Sequence, residues 1–93
     1  MRTIDRSSAF KRDYKREAKG QHRATLDDAI KPVLVALATD QPLDARYRDH
    51  DLSGDWAGYR ECHIKPDLLL IYRKSDPDTL RLARLGSHSE LFG

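Results

Sequence analysis

The chain has one cysteine, Cys62, in 93 residues. A lone thiol closes no internal disulfide, and no C-x-x-C pair is present to seed a metal site. Long apolar runs are also missing. Nothing approaches the ~18–20 consecutive apolar residues that a membrane span needs. The opening stretch MRTIDRSSAFKRDYKR lacks the apolar segment of a secretory signal. The expectation is a protein of the reducing cytoplasm with no membrane partner. There is no internal repeat and no low-complexity tract. The length suits a single domain over residues 1–93, and leaves no room for a Rossmann unit or a (β/α)8 barrel. At this size about 60–65% of the unfolded surface is buried on folding, enough for one small core without staples.

What the chain does have is charge, unevenly placed. The formal net charge is only +2. Residues 1–23 hold eight Lys and Arg against three acids, a net +5, while the remainder carries nine basic and twelve acidic residues, a net −3. A basic first quarter suggests a face for a polyanion, although an exposed charge-rich helix with no ligand has the same composition.

The pattern reads as helices followed by strands. Met1–Asp5 suits an edge strand. Ser7 or Ser8 offers an N-cap and Gly20 a stop, with Phe10, Tyr14 and Ala18 on one helical face and Lys11, Arg12, Lys15, Arg16 and Lys19 covering the rest. Thr25-Leu-Asp-Asp28 resembles a capping box, followed by Leu26, Ile30, Val33, Leu34 and Leu37 at helical spacing. Pro32 inside this run predicts a kink or a split. The two helices are expected to form an antiparallel pair joined near residues 20–23.

Residues 39–55 read mostly as loop, with a short strand at Tyr47–Arg48. Tyr59–Ile64 alternates, placing Arg60, Cys62 and Ile64 on one face and Tyr59, Glu61 and His63 on the other. Cys62 is expected to point inward as a small apolar filler. Leu68–Tyr72 is a continuous apolar run, the sign of a central strand buried on both faces. Thr79–Leu85 is a third strand, and residues 86–93 a polar turn with an apolar tail. The fold class is α+β, with two N-terminal helices packed on a small C-terminal antiparallel sheet.

The chemistry-bearing residues cluster by topology. In an antiparallel meander the end of the first long strand, the start of the second and the end of the third share one edge. His63, Asp67 and His88 therefore converge, and His50 joins them from the preceding loop. Three imidazoles and a carboxylate supply acid and base near neutral pH. Arg60, Arg73, Arg81 and Arg84 are candidates for a phosphate-binding guanidinium. This set suits RNA cleavage by the ribose 2′-OH, with no metal and no covalent enzyme intermediate. A zinc site on the same ligands lacks any close-spaced His or Cys pair. His22 is assigned no role. Trp56 and Tyr59 serve either the core or base stacking.

The segment from His50 to Tyr72 carries H-x-L-x-G-x-W-x-G-x-R-x-x-H-I-x-P-D, and the tail carries G-S-H-x-x-L-F. In combination these resemble the YafQ branch of the RelE/ParE toxin superfamily. The resemblance implies a RelE-like fold and a ribosome-dependent endoribonuclease of a bacterial type II toxin–antitoxin system. Such a toxin cuts mRNA in the A site of the 70S ribosome, needs no cofactor, and is neutralised in a heterotetramer or similar complex with a cognate antitoxin. It also implies functional roles for His50, His63, Asp67, Arg84, His88 and Phe92. On this reading Asp67 or His50 is the base, His88 the acid, Arg84 the transition-state charge and Phe92 a base-positioning ring. The residues Lys11, Arg12, Lys15, Arg16 and Lys19 are expected to face ribosomal RNA. The sequence departs at Leu68, where a better-known relative has tryptophan. A gyrase-targeting toxin on the same fold, or a catalytically silent binding module, are the alternatives.

Overall fold

The computed structural model describes residues 1–93. The elements are β1 (Thr3–Arg6), α1 (Ser8–Lys19), α2 (Leu26–Ala38), β2 (His50–Asp51), β3 (Arg60–Lys65), β4 (Leu68–Asp76), β5 (Thr79–Gly86) and α3 (His88–Phe92), with single 3-10 turns at Ala45–Tyr47 and Gly54–Trp56. One five-stranded sheet runs in the order β1-β5-β4-β3-β2. It is antiparallel except for β1, which lies parallel to β5 in the register Thr3↔Thr79 to Arg6↔Leu82. The α+β class and the helix-then-sheet order stand as read from the sequence.

Both long helices cover one sheet face. Phe10, Leu26, Ile30, Val33, Leu37 and Ala38 meet Cys62, Ile64, Leu68, Leu70, Tyr72, Leu80, Leu82 and Leu85 in the main core. Each large apolar side chain removed from water there contributes about 1.5–3 kcal/mol. The opposite face holds a smaller cluster of Leu69, Ile71, Ala83 and Leu91, with Leu52, Trp56 and Tyr59 packed at its margin. Leu68–Tyr72 is buried throughout because alternate residues feed the two clusters.

Several local expectations are corrected. The inward side of α1 is Phe10, Asp13 and Glu17, while Ala18 is exposed. Two carboxylates take that side because arginines neutralise them, as described below. Ser7 caps α1 by accepting from Phe10 N–H at 2.9 Å. Thr25 makes no side-chain cap; its hydroxyl instead accepts from Lys65 Nζ. Pro32 sits on the exposed face of an unbroken α2, which forgoes one backbone donor there. Tyr47–Arg48 is not a strand: the chain closes a 3-10 turn there, and Arg48 takes the left-handed conformation at φ 50°. The tail forms a third helix.

Past Leu82, α1 replaces β1 along the free edge of β5. Ser7 N–H donates to Leu82 O at 3.0 Å, and Ser7 Oγ donates to Ala83 O at 2.7 Å. Leu85 N–H donates to Asp13 Oδ2 at 3.0 Å, and Arg16 Nη2 donates to Leu85 O at 2.9 Å. Side chains thus satisfy backbone groups that a neighbouring strand would otherwise take.

Candidate active site

The register of the short β2 decides the first half of the site. His50 lies directly opposite Glu61, and the two-residue period of β3 puts His63 on the same face. His63 Nε2 is 3.5 Å from Glu61 Oε1, and His50 Nε2 is 3.7 Å from the same oxygen. Glu61 is only 5% exposed; one buried carboxylate stands between two imidazoles. The Nδ1 of His50 lies 2.7 Å from the Arg48 carbonyl. A carbonyl only accepts, so Nδ1 carries the hydrogen and Nε2 is the atom left to exchange a proton. From the sequence alone Glu61 is a polar position on the His63 face and nothing more. The signal that singles it out is cross-strand register.

The second half comes from α3. Ser87 and Glu90 form a capping box: Ser87 Oγ accepts from Glu90 N–H at 3.2 Å, and Glu90 Oε1 accepts from Ser87 N–H at 2.9 Å. These bonds, with the nearby Arg16 charge, hold the Glu90 carboxyl below its ordinary value. His88 and Phe92, one helical turn apart, pack at a 43° tilt with ring centroids 5.0 Å apart, while Leu91 is buried in the smaller core. The register His63↔Leu69↔Gly86 places the ends of β3 and β5 at the same end of the sheet, about 10 Å apart across two strand spacings. His63 and His88 thus flank a strip of the smaller sheet face floored by Leu69 and Ile71.

Asp67 lies in the β3–β4 turn, but its carboxylate turns toward the α1–α2 connection. It accepts from Gln21 Nε2 at 3.1 Å and lies 3.5 Å from His22 Nε2. The structure therefore brings together His50, Glu61 and His63, and sets Asp67 apart with the buried His22.

Arg84 is held by Asp13, with Nε and Nη2 donating to the carboxylate at 2.7 and 3.2 Å. The extra residue Ala83, where β5 bulges against β4, sits beside it. Burial of Asp13 opposes its charge. The bonds from Arg84 and from Leu85 N–H, with the charges of Arg84 and Arg16, outweigh burial and hold the carboxyl below its ordinary value. Arg84 keeps Nη1 unbonded.

Arg16 departs from the expectation of an RNA-facing side chain. Its Nε meets Glu17 and Glu90 at 2.9 Å each, Nη1 meets Asp13 at 3.0 Å, and Nη2 meets Leu85 O. All three nitrogens are engaged within the protein, joining α1, β5 and α3. Gly86 lies beneath it; a Cβ there would stand 2.8 Å from Arg16 Nη2. Lys11, Arg12, Lys15 and Lys19 are exposed and form no ion pair.

Cys62 is fully buried. Burial, with the charges of Asp49 and Glu61, pushes its thiol up to about 12. No group of three or more His, Cys, Asp or Glu side chains is arranged to hold a metal ion, and no helix is long and apolar enough to cross a membrane.

Residues 2–93 match the family of bacterial YafQ toxins of type II toxin–antitoxin systems. The mRNA interferase toxin YafQ of Escherichia coli is 39% identical over 94 residues, which cover 100% of this chain and 98% of that protein. The crystal structure of E. coli YafQ superposes with a TM-score of 0.85 at 37% identity, covering 100% of both chains. YafQ in the E. coli DinJ-YafQ toxin–antitoxin complex gives 0.83 at 39% identity, covering 99% of this chain and 98% of that one. With fold and sequence in agreement along essentially its whole length, the chain belongs to the YafQ family of type II toxins.

Proposed function

We propose that the protein is a ribosome-dependent endoribonuclease that cuts mRNA in the A site of the 70S ribosome, and that a cognate antitoxin neutralises it. The observation that carries the reading is the pairing of His50, Glu61 and His63 on one side of the open sheet face with His88 and Phe92 on the other. The name of the E. coli relative, mRNA interferase toxin, and the complex of that relative with DinJ support the substrate and the partner.

The reaction is attack of a ribose 2′ oxygen on the adjacent phosphorus. The 2′ proton passes to His50 Nε2, the atom that its Nδ1–H bond leaves free. The P–O5′ bond breaks, and His88 protonates the departing oxygen. The products are a 2′,3′-cyclic phosphate and a 5′ hydroxyl. Glu61 holds the two imidazoles in place, His63 contacts the phosphate, and Arg84, fixed by Asp13, offers Nη1 to the developing charge. Phe92 stacks on a base. Asp67 is the second candidate for the base; its engagement with Gln21 and His22 favours His50. The exposed Lys11, Arg12, Lys15 and Lys19 meet ribosomal RNA.

The test is a translating extract with mRNA ends mapped by primer extension. Frame-dependent cuts by the wild type, lost with His88→Ala and insensitive to chelator, support the reading. A wild type that makes no cuts sinks it.

A further inference from the structure

A cavity of about 520 Å3 opens between α2 and the start of the β3–β4 turn, and His63 is among its lining residues. Arg46, Arg48 and Lys65 also line it, against a single carboxylate, Asp28. Arg46 rests over the Tyr47 ring, 4.8 Å from its centroid, and donates to Tyr47 Oη at 2.8 Å. Lys65 is directed by the Thr25 hydroxyl. The Arg48 guanidinium has no partner in the protein. Three cations beside one acid, with His63 among the lining residues, are suited to a bound phosphate.

Arg48 is also where the backbone argues for the side chain. It closes the 3-10 turn in the left-handed region, which glycine or asparagine adopts at lower cost. Its carbonyl fixes His50 Nδ1, a task any residue performs. Only the guanidinium is particular to arginine. We infer that Arg46, Arg48 and Lys65 form a subsite for an RNA backbone phosphate next to the one that is cut, with Arg48 as its principal contact. This rests on the endoribonuclease reading for the identity of the polymer, and it adds the side from which the strand reaches His63.

The test uses a short unstructured RNA oligonucleotide whose reacting 2′-OH is replaced by hydrogen, with binding followed by fluorescence anisotropy across a salt series. Arg48→Asn keeps a residue suited to the turn and removes the charge. It is expected to melt at the same or a higher temperature, to bind about tenfold more weakly, and to flatten the salt dependence by about 0.7 in log–log slope, one phosphate contact on a single strand. Lys65→Met is expected to move affinity and slope the same way. In the cleavage assay the Arg48→Asn loss should fall on KM rather than kcat. Unchanged affinity and slope in both variants overturns the subsite, as does a loss on kcat alone, which would assign the Arg48 guanidinium to the chemical step rather than to strand binding. A wild type that binds the oligonucleotide through Arg48 yet cuts no mRNA upholds the subsite and sinks only the enzymatic reading.

Discussion

At the scale of single residues, the consequential groups are buried or half-buried ones whose partners are distant in sequence. Glu61 stands between His50 and His63. Glu61→Gln keeps the shape and removes the charge, so single-turnover cleavage should fall on the order of 100-fold with the melting temperature nearly unchanged. Asp13 carries four bonds, from Arg84 twice, Arg16 and Leu85 N–H. Asp13→Ala leaves Arg84 and a buried amide without partners and should cost about 3–5 kcal/mol in urea unfolding. Its carboxyl is held below the ordinary value of 3.8, so the fold favours the charged form. That contribution is complete above about pH 4 and is lost as the pH falls through the folded-state value. The acid limb of the stability profile should therefore be shallower in Asp13→Asn than in the wild type. Cys62, with its thiol raised to about 12 by burial, should resist iodoacetamide at pH 8 until denaturant is added. The histidines were legible because their places at strand ends follow from topology. Glu61 was not, because its importance comes from His50 lying across a two-residue strand that no periodicity reveals.

At the scale of elements, α3 is the part on which the proposed mechanism depends most and which the sequence revealed least. Five residues do not sustain a helix alone. It is held by the Ser87–Glu90 capping box, by Leu91 in the smaller core and by Arg16 on Glu90. Arg16→Ala should lower the cleavage rate through loss of His88 and Phe92 placement. Gly86→Ala should do the same by pushing Arg16 aside, at a cost of about 1–2 kcal/mol. The check is the rate in each variant against its melting curve at a temperature where both are folded. The basic stripe of α1 was legible from spacing, but not that Arg16 leaves it, because its acceptors lie on α1, β5 and α3 together. The inward Asp13 and Glu17 were hidden for a related reason. Helical periodicity seeks apolar residues, and here buried carboxylates take part of the apolar face. In α2, Pro32 sits on the exposed side of an intact helix. Pro32→Ala restores a backbone donor and should raise stability by about 2 kcal/mol in thermal unfolding.

At the scale of the molecule, charge and chain order set behaviour that no single side chain carries. The exposed Lys11, Arg12, Lys15 and Lys19 remain free after folding, so on the proposed function reversing all four should weaken ribosome binding and flatten its salt dependence. The helix-then-meander layout was readable from the sequence. The parallel pairing of β1 was not, because four exposed residues carry no burial pattern to announce a partner. That pairing has a kinetic consequence. Asp5 and Arg81 meet across 76 residues of chain, and β1 has no neighbour but β5. The sheet closes only after nearly all the intervening chain is available, which gives slow, non-local folding. While the chain is being made, an early segment waits for a late one, and α1 waits with it because its Ser7, Asp13 and Arg16 dock on the far end of β5. On the proposed function, a site assembled from β2, β3 and α3 on this sheet is completed only once the last residues of the chain are in place, so the ribosome that makes the protein would be shielded from cleavage until synthesis has ended.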